Sequence, residues 1–450
     1  MSEQPLSKRE FLADDFALDR VPPSGRKPMR KILWIELGIV TAMTEFIIAS
    51  ALGYGMTFWQ AFLSICLGTA LLLLVTVLIG IAGAWEGLPS GLLSRWSGFG
   101  RIGSGLISLV IAIGCTAWFG VQNSICAEAI TRSTHGWLGF SLAAVITGGI
   151  LIVITSLGVD WISKTASIVV PVFLALIAYG TYKILAGTSL TEIISTPAPG
   201  PPLGVFTGAS MIAGGLIIGG IVAPDFTRFC RKGADVFWAM LIAFIVGEFG
   251  LGMASVLLSH AAHTSDIISI IFSLAGWLGV TVVVLATVKL NDANLYVASL
   301  HLANIIQVVF RYRVNRGILT VALGIVGIVF SILGILNHIV GFLLILGVTV
   351  PPIGGIIIAD YFLLRRNRDS LFATRASQNL PPLCEEINPA GLIAWAAGFL
   401  SGYFLHWGIA AFNSIAVAGV VYFSLMKILA VSAKQPVKYF ATAPTPRSPL

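Results

Sequence analysis

Apolar positions along the chain gather into twelve long runs separated by short polar breaks. They lie near 32–52, 57–83, 103–130, 137–158, 164–187, 205–223, 235–260, 268–300, 317–336, 339–363, 389–407 and 409–429. About 20 apolar residues in helical form cross the hydrocarbon core of a bilayer. Each run therefore predicts a transmembrane helix, and the whole predicts an all-α integral membrane protein of about twelve spans. The run 268–300 is longer than one crossing needs and leaves room for an interfacial turn. The last two runs are closely spaced. Residues 1–31 are polar and charged and include Pro22, Pro23 and Pro28. They lack an apolar core segment, so no cleavable signal peptide is expected. The chain divides into an N-terminal tail (1–31), a transmembrane domain (32–429) and a C-terminal tail (430–450). The last tail is Pro-rich after Lys434, which predicts disorder. The insert 364–388 is polar, and no loop is long enough for a separate soluble domain.

Composition agrees with this pattern. Of 450 residues 57% are hydrophobic and 10% charged, against about 25% charged in a soluble domain. The mean hydropathy is +0.93. The net charge of +7 sits in short clusters between apolar runs, which is a topological signal and not a nucleic-acid patch. With the N-terminus inside, 24 of the 27 Lys and Arg fall on the cytoplasmic side. Arg132 and Lys183 fall outside, and Lys289 lies within a span. The asymmetry predicts a multi-pass protein of the plasma (inner) membrane with both termini cytoplasmic. Cys66, Cys115, Cys126, Cys230 and Cys384 are scattered and odd in number, with neither metal spacing nor a disulfide framework. The histidines are dispersed apart from His260 and His263, read as an interfacial pair. No enzyme, cofactor, metal or protein partner is therefore expected, and no charge ring or filter-like stretch suggests a channel.

Two spans carry signs of interruption. The first has a polar break at Thr44-Glu45 and ends in Ala51-Leu52-Gly53-Tyr54-Gly55. The sixth holds Gly214-Gly215 and Gly219-Gly220 before Pro224. They stand five helices apart, where an inverted five-plus-five repeat would break its first helices. The competing reading is that the glycines only let helices approach closely. In the tenth span Val350-Pro351-Pro352-Ile353-Gly354-Gly355 removes two backbone donors, predicting a flexible break or a static kink.

A charge at mid-bilayer costs about 2.5–3.5 kcal/mol on insertion scales, so each one demands an explanation. Glu45, Glu248, Lys289 and Asp292 are deep; Glu36 and Glu128 lie nearer span ends. Lys289 and Asp292 are three apart on one helical face. Such groups form either a coupling site or a static ion pair locking helices together. Trp118 and Gln122 share a face of the third span. An indole offers a flat surface and an amide both donor and acceptor, which suits a planar lactam or ureide, although packing is the simpler role for Trp118.

Four stretches together resemble the nucleobase:cation symporter-1 family, which includes cytosine permease and the hydantoin and allantoin transporters. They are Thr116-Ala117-Trp118-Phe119-Gly120-Val121, Ala223-Pro224-Asp225-Phe226-Thr227-Arg228-Phe229, Asn291-Asp292-Ala293-Asn294-Leu295-Tyr296 and Val350 through Tyr361. The resemblance implies a leucine-transporter-like fold and a permease for a nucleobase-like planar heterocycle or ureide (cytosine, purine, pyrimidine, hydantoin or allantoin class). It implies that Trp118 stacks on the substrate and that Gln122 binds it, as in hydantoin-type members. Cys115 stands where cytosine-type members carry a glutamine. Gly215 and Leu216 stand near the positions of a serine and a stacking aromatic. These departures argue against cytosine itself. Glu45 enters as a coupling group, or as an ammonium partner if the substrate is instead an amino acid or amine. The family holds sodium with first-helix carbonyls, expected near Gly38 and Thr41, and with a hydroxyl pair that falls here at Lys289-Leu290. Neither replacement ligates sodium as a hydroxyl does. Lys289, with Asp292 and Asn291 beside it, is therefore expected to replace the sodium ion. The coupling ion would then be a proton, with sodium as the other candidate.

Overall fold

The computed structural model describes residues 14–187, 189–266, 277–405 and 407–432. The first span is two helices, α1 (Met29–Val40) and α2 (Met43–Gly55), meeting at a 49° bend. α3 (Phe58–Glu86), α4 (Gly100–Ser133), α5 (Phe140–Ser156) and α6 (Val159–Leu185) are the second to fifth spans. α7 (Val205–Ile221) is the sixth. α8 (Gly233–Ala262) is the seventh and contains a π-helical stretch at Phe244–Leu251. α9 (Trp277–Phe310) and α10 (Arg316–Ile332) are the eighth and ninth. The tenth joins α11 (Ile339–Thr349) to α12 (Pro351–Ile358), and α13 (Pro389–Phe404) and α14 (Ala410–Ser432) complete the set. Among the described residues, eight helices are long and apolar enough to cross a membrane and the bent pair makes a ninth. The shorter α5, α10 and α13 fall on the remaining apolar runs. The start of the run 268–300 and the tail after Lys434 lie outside the described residues.

Local sequence explains the boundaries. Thr57 caps α3 in a capping box with Gln60, and Asn315 and Asn388 accept from Gly317 and Gly391 to start α10 and α13. Packing then shows the repeat. The first span packs on the seventh (α1 and α2 on α8), and the sixth packs on the second (α7 on α3). The ninth packs on the third (α10 on α4), and the fourth packs on the eighth (α5 on α9). The third–eighth and fourth–ninth contacts map onto themselves. Each contact thus recurs when five is added to its helix numbers. Because five is odd, the second set crosses the membrane in the opposite sense, which makes the repeat inverted.

Two expectations change, and in the tenth span one of two alternatives is decided. The first span breaks at Thr41-Ala42, one turn before Thr44-Glu45; Ala42 is extended at φ −66°, ψ 150°. The sixth span is not broken at its glycines: α7 runs unbroken through Gly214-Gly215 and Gly219-Gly220 to Ile221. Gly215 instead admits the Glu45 side chain, whose oxygens lie 2.7 and 2.8 Å from where a Cβ would stand. In the tenth span Val350 keeps helical dihedrals (φ −85°, ψ −41°), and Pro351 opens α12 at a position where an N–H has no helical partner. The two prolines therefore kink the span without unwinding it.

The described part of the N-terminal segment, residues 14–28, packs against the bundle. Ala17, Leu18 and Val21 are buried. Val21 N–H donates to Gly87 and Lys27 N–H to Phe229 (2.9 and 2.7 Å). Arg20 reaches Glu86 at 3.0 Å, and Glu86 also binds Arg375 and Tyr361. We call this segment the strap.

Candidate functional site

The interrupted first span meets α4, α7 and α9 around a cavity of about 50 Å³. Ile39 and Thr44 flank the break. Cys115 and Trp118 come from α4, and Gly215 and Leu216 from α7. From α9 come Leu290, Ala293, Asn294 and Val297, a helical stripe that is apolar except for one amide. Trp118 forms a flat wall, held by an edge contact with Phe342 at 5.8 Å and 72°. At the strap end the cavity reaches Phe226, which stacks on Tyr296 at 5.3 Å. Arg228 donates to the Tyr296 hydroxyl (3.1 Å) and to the carbonyls of Asp15, Phe16 and Asp225. The strap therefore fastens this end. Burial of the Asp15 carboxyl raises its pKa, against the lowering pull of Arg316 and Arg228.

The expected site residues divide. Trp118, Cys115, Gly215 and Leu216 line the cavity together. Gln122, one turn further along α4, is wholly buried, with its amide unpartnered, and does not line the cavity. Glu45 stands behind the Gly215 wall.

Lys289, Gly38 and Thr41 converge. The Lys289 ammonium donates to the Thr41 carbonyl, to Thr41 Oγ1 at 2.7 Å and to the Gly38 carbonyl at 3.4 Å. It also stands 4.2 Å from the centre of the Phe173 ring, a cation–π distance. The break in the first span frees these carbonyls from the helical ladder, and the lysine satisfies them. Asp292 and Asn291 do not join this group. Asp292 accepts from Thr155 of α5 at 3.3 Å, and Asn291 donates to the Phe119 carbonyl of α4 at 3.0 Å. The Lys289–Asp292 pair expected from spacing is therefore not formed. Side chains three apart on a helix still diverge by about 60°, and here each turns to a different neighbour.

Asn294 escaped the sequence reading. It donates one amide hydrogen to Asn291 Oδ1 at 3.2 Å, which leaves the amide oxygen for a ligand. Its signal was the polar position within the 290, 293, 294, 297 stripe. Phe342 and Phe173 had no such signal, because each is one apolar residue in an apolar run.

A cavity at a helix break, between two inverted sets of five helices, is the architecture of a membrane transporter. The particular lineage follows from comparison. The family model "Permease for cytosine/purines, uracil, thiamine, allantoin" matches residues 32–427, and the chain belongs to this family. It is 28% identical over 422 residues to the cytosine permease of Escherichia coli (strain K12), covering 92% of this chain and 95% of that one. It is 26% identical over 392 residues to the hydantoin permease of Microbacterium maritypicum, covering 81% and 78%. Among solved structures it matches Mhp1, a nucleobase-cation-symport-1 family transporter in a closed conformation with bromovinylhydantoin bound. The TM-score is 0.78 at 21% identity, with 92% of this chain and 96% of that one covered.

Proposed function

We propose that this permease carries a planar nitrogen heterocycle or ureide by alternating access, without sodium, because Lys289 supplies the positive charge of the cation site. The observation that carries the reading is the Lys289 ammonium seated on the Gly38 and Thr41 carbonyls and the Thr41 hydroxyl. A cation on these oxygens ties the broken first span (α1) to the scaffold helix α9. A lysine does so permanently, and a monovalent ion brought into the same site would meet its charge. The substrate lies against the Trp118 face, with the Asn294 oxygen accepting a ring or ureide N–H. Gly215 and Leu216 leave the opposite wall without an aromatic, which favours a substrate bulkier than cytosine. The spans 1, 2, 6 and 7 rock against 3, 4, 8 and 9. The excess of basic residues at the strap end supports a cytoplasmic location for that end and for both termini, in the inner membrane.

The test is uptake into proteoliposomes with and without a sodium gradient, using labelled cytosine, uracil, allantoin and a 5-substituted hydantoin. Uptake of at least one probe at equal rates under both conditions is expected. Strong sodium dependence overturns the lysine reading. Failure of every probe to bind or enter overturns the substrate class. Glu45 does not line the cavity, so no observation favours an amine substrate.

A further inference from the structure

Two buried acids are explained neither by the cavity nor by the Lys289 site. Glu45 of α2 and Glu248 in the π-helical stretch of α8 are buried, and none of their four carboxylate oxygens has a hydrogen-bond partner. Their elements pack together: Met43 and Phe46 of α2 share one apolar cluster with Leu251 of the π-helical stretch. Glu45 presses into the gap left by Gly215. Gly247, next to Glu248, packs on Val40 and Thr41 at the first-span break, 2.5 and 3.1 Å from where its Cβ would stand. An extra residue in a helical turn re-aims the side chains around it, and such bulges occur at functional sites.

Among the described residues the surrounding elements supply no counter-charge: α6 carries Lys164 and Lys183 only toward its two ends, where they stand over the Trp161 and Tyr179 rings. α7 has no ionisable side chain. α3 carries only Cys66 and, at its far end, Glu86, which Arg20 and Arg375 hold. α1 carries Glu36, itself an acid, and Arg30 and Lys31 at its start, with Lys31 bound to Asp160. The remainder of α8 carries Asp235, at the Lys232 cap, and His260, whose Nε2 meets the Met56 carbonyl at 3.0 Å. Lys289 of α9 is engaged by Gly38 and Thr41 and makes no ion pair with either acid.

We propose that Glu45 and Glu248 together form the proton-binding site of this carrier, an inference that rests on the transporter reading above. Two buried carboxylates on helices in contact are costly to keep ionised without a facing cation. A proton bound to an oxygen of either acid removes one of the two buried charges. Only an O–H bond forms or breaks: the proton arrives from water on one side and leaves to water on the other. Coupling has a short path. Glu45 follows Thr44, a cavity residue, and lies against Gly215, another. Loading the pair therefore bears on the wall that the substrate touches.

Infrared difference spectra of the purified full chain, between acidic and alkaline buffer, test proton binding without any substrate. A protonated-carboxyl band is expected that Glu45→Gln and Glu248→Gln each remove. The same band in all three proteins overturns the proposal. In proteoliposomes, an inward proton gradient is expected to stimulate wild-type uptake of whichever of the four probes enters. In Glu248→Gln the ratio of uptake with to without the gradient should fall to one, and in Glu248→Asp it should recover with a displaced pH profile. A Gln variant that keeps the gradient response overturns the proposal, as does a sodium gradient that replaces the proton gradient. If Glu248→Gln does not elute as one species, Glu248→Asp decides alone, and an undisplaced pH profile overturns the pair. A wild type that takes up none of the probes sinks the substrate class proposed above, while the infrared band still judges the pair.

Discussion

At the scale of single residues, the chemistry of this permease turns on side chains whose identity the sequence makes conspicuous and whose partners it hides. Lys289 was conspicuous as a cation within a span; its spacing to Asp292 pointed to the wrong partner, while the family resemblance pointed to Gly38 and Thr41, which it meets. The oxygens that receive it belong to backbone 248 and 251 residues earlier in the chain. Replacing Lys289 by Thr opens the cation site, so sodium-stimulated uptake should appear or proton stimulation should change, read as the ratio of uptake with and without each gradient. Lower expression with unchanged ratios would instead mark a structural lysine. Trp118 was legible as an aromatic of mixed promise, and the cavity settles its position. Stacking of a ring on an aromatic contributes about 1–3 kcal/mol. Trp118→Ala should therefore weaken probe binding by about 10- to 100-fold, measured by thermal shift or titration on purified protein. A Gln122→Ala change should weaken it far less, because Gln122 does not line the cavity.

At the scale of elements, breaks matter more than lengths. The first span is interrupted without glycine or proline at the bend, which is why composition placed the interruption one turn late. Its cause is tertiary: the ammonium of Lys289 rewards carbonyls that leave the ladder. The sixth span is the opposite case, where glycines that could have marked a break instead make room for a carboxylate. A similar close approach joins α12 to α14, where a Cβ on Gly355 would stand 2.1 Å from the Ile415 carbonyl oxygen. Backbone cannot yield as a side-chain tip can. Gly355→Ala should therefore destabilise the protein by about 1–3 kcal/mol, visible as a lower melting temperature in detergent with no change in probe affinity among the folded molecules.

At the scale of the whole molecule, two inverted sets of helices surround one cavity, and the strap fastens one end of it. Arg228 is the bolt, with four acceptors in α9, the strap and its own turn. Each buried acceptor left unmet costs about 1–3 kcal/mol, so Arg228→Ala should release the strap and speed hydrogen exchange at Val21 and Lys27. In the wild type, a transported probe should change exchange at the strap, at Phe226 and at Tyr296, and leave the α5–α10 contacts unmoved. Equal changes in both sets would contradict rocking. The sequence by itself determined the apolar runs that become helices, and the one cation and several acids that a bilayer does not tolerate without reason. Those follow from the cost of transferring each residue into hydrocarbon, which is local and additive. Only the tertiary structure decided that Lys289 turns to Gly38 and Thr41 and not to Asp292, that Asn294 lines the cavity while Gln122 does not, that residues 14–28 form a strap and not a free tail, and that α2, with Glu45, packs on the π-helical stretch that holds Glu248. These are contacts between residues far apart in the chain. Their strength depends on what surrounds them once water is gone, and no stretch of sequence carries that information alone.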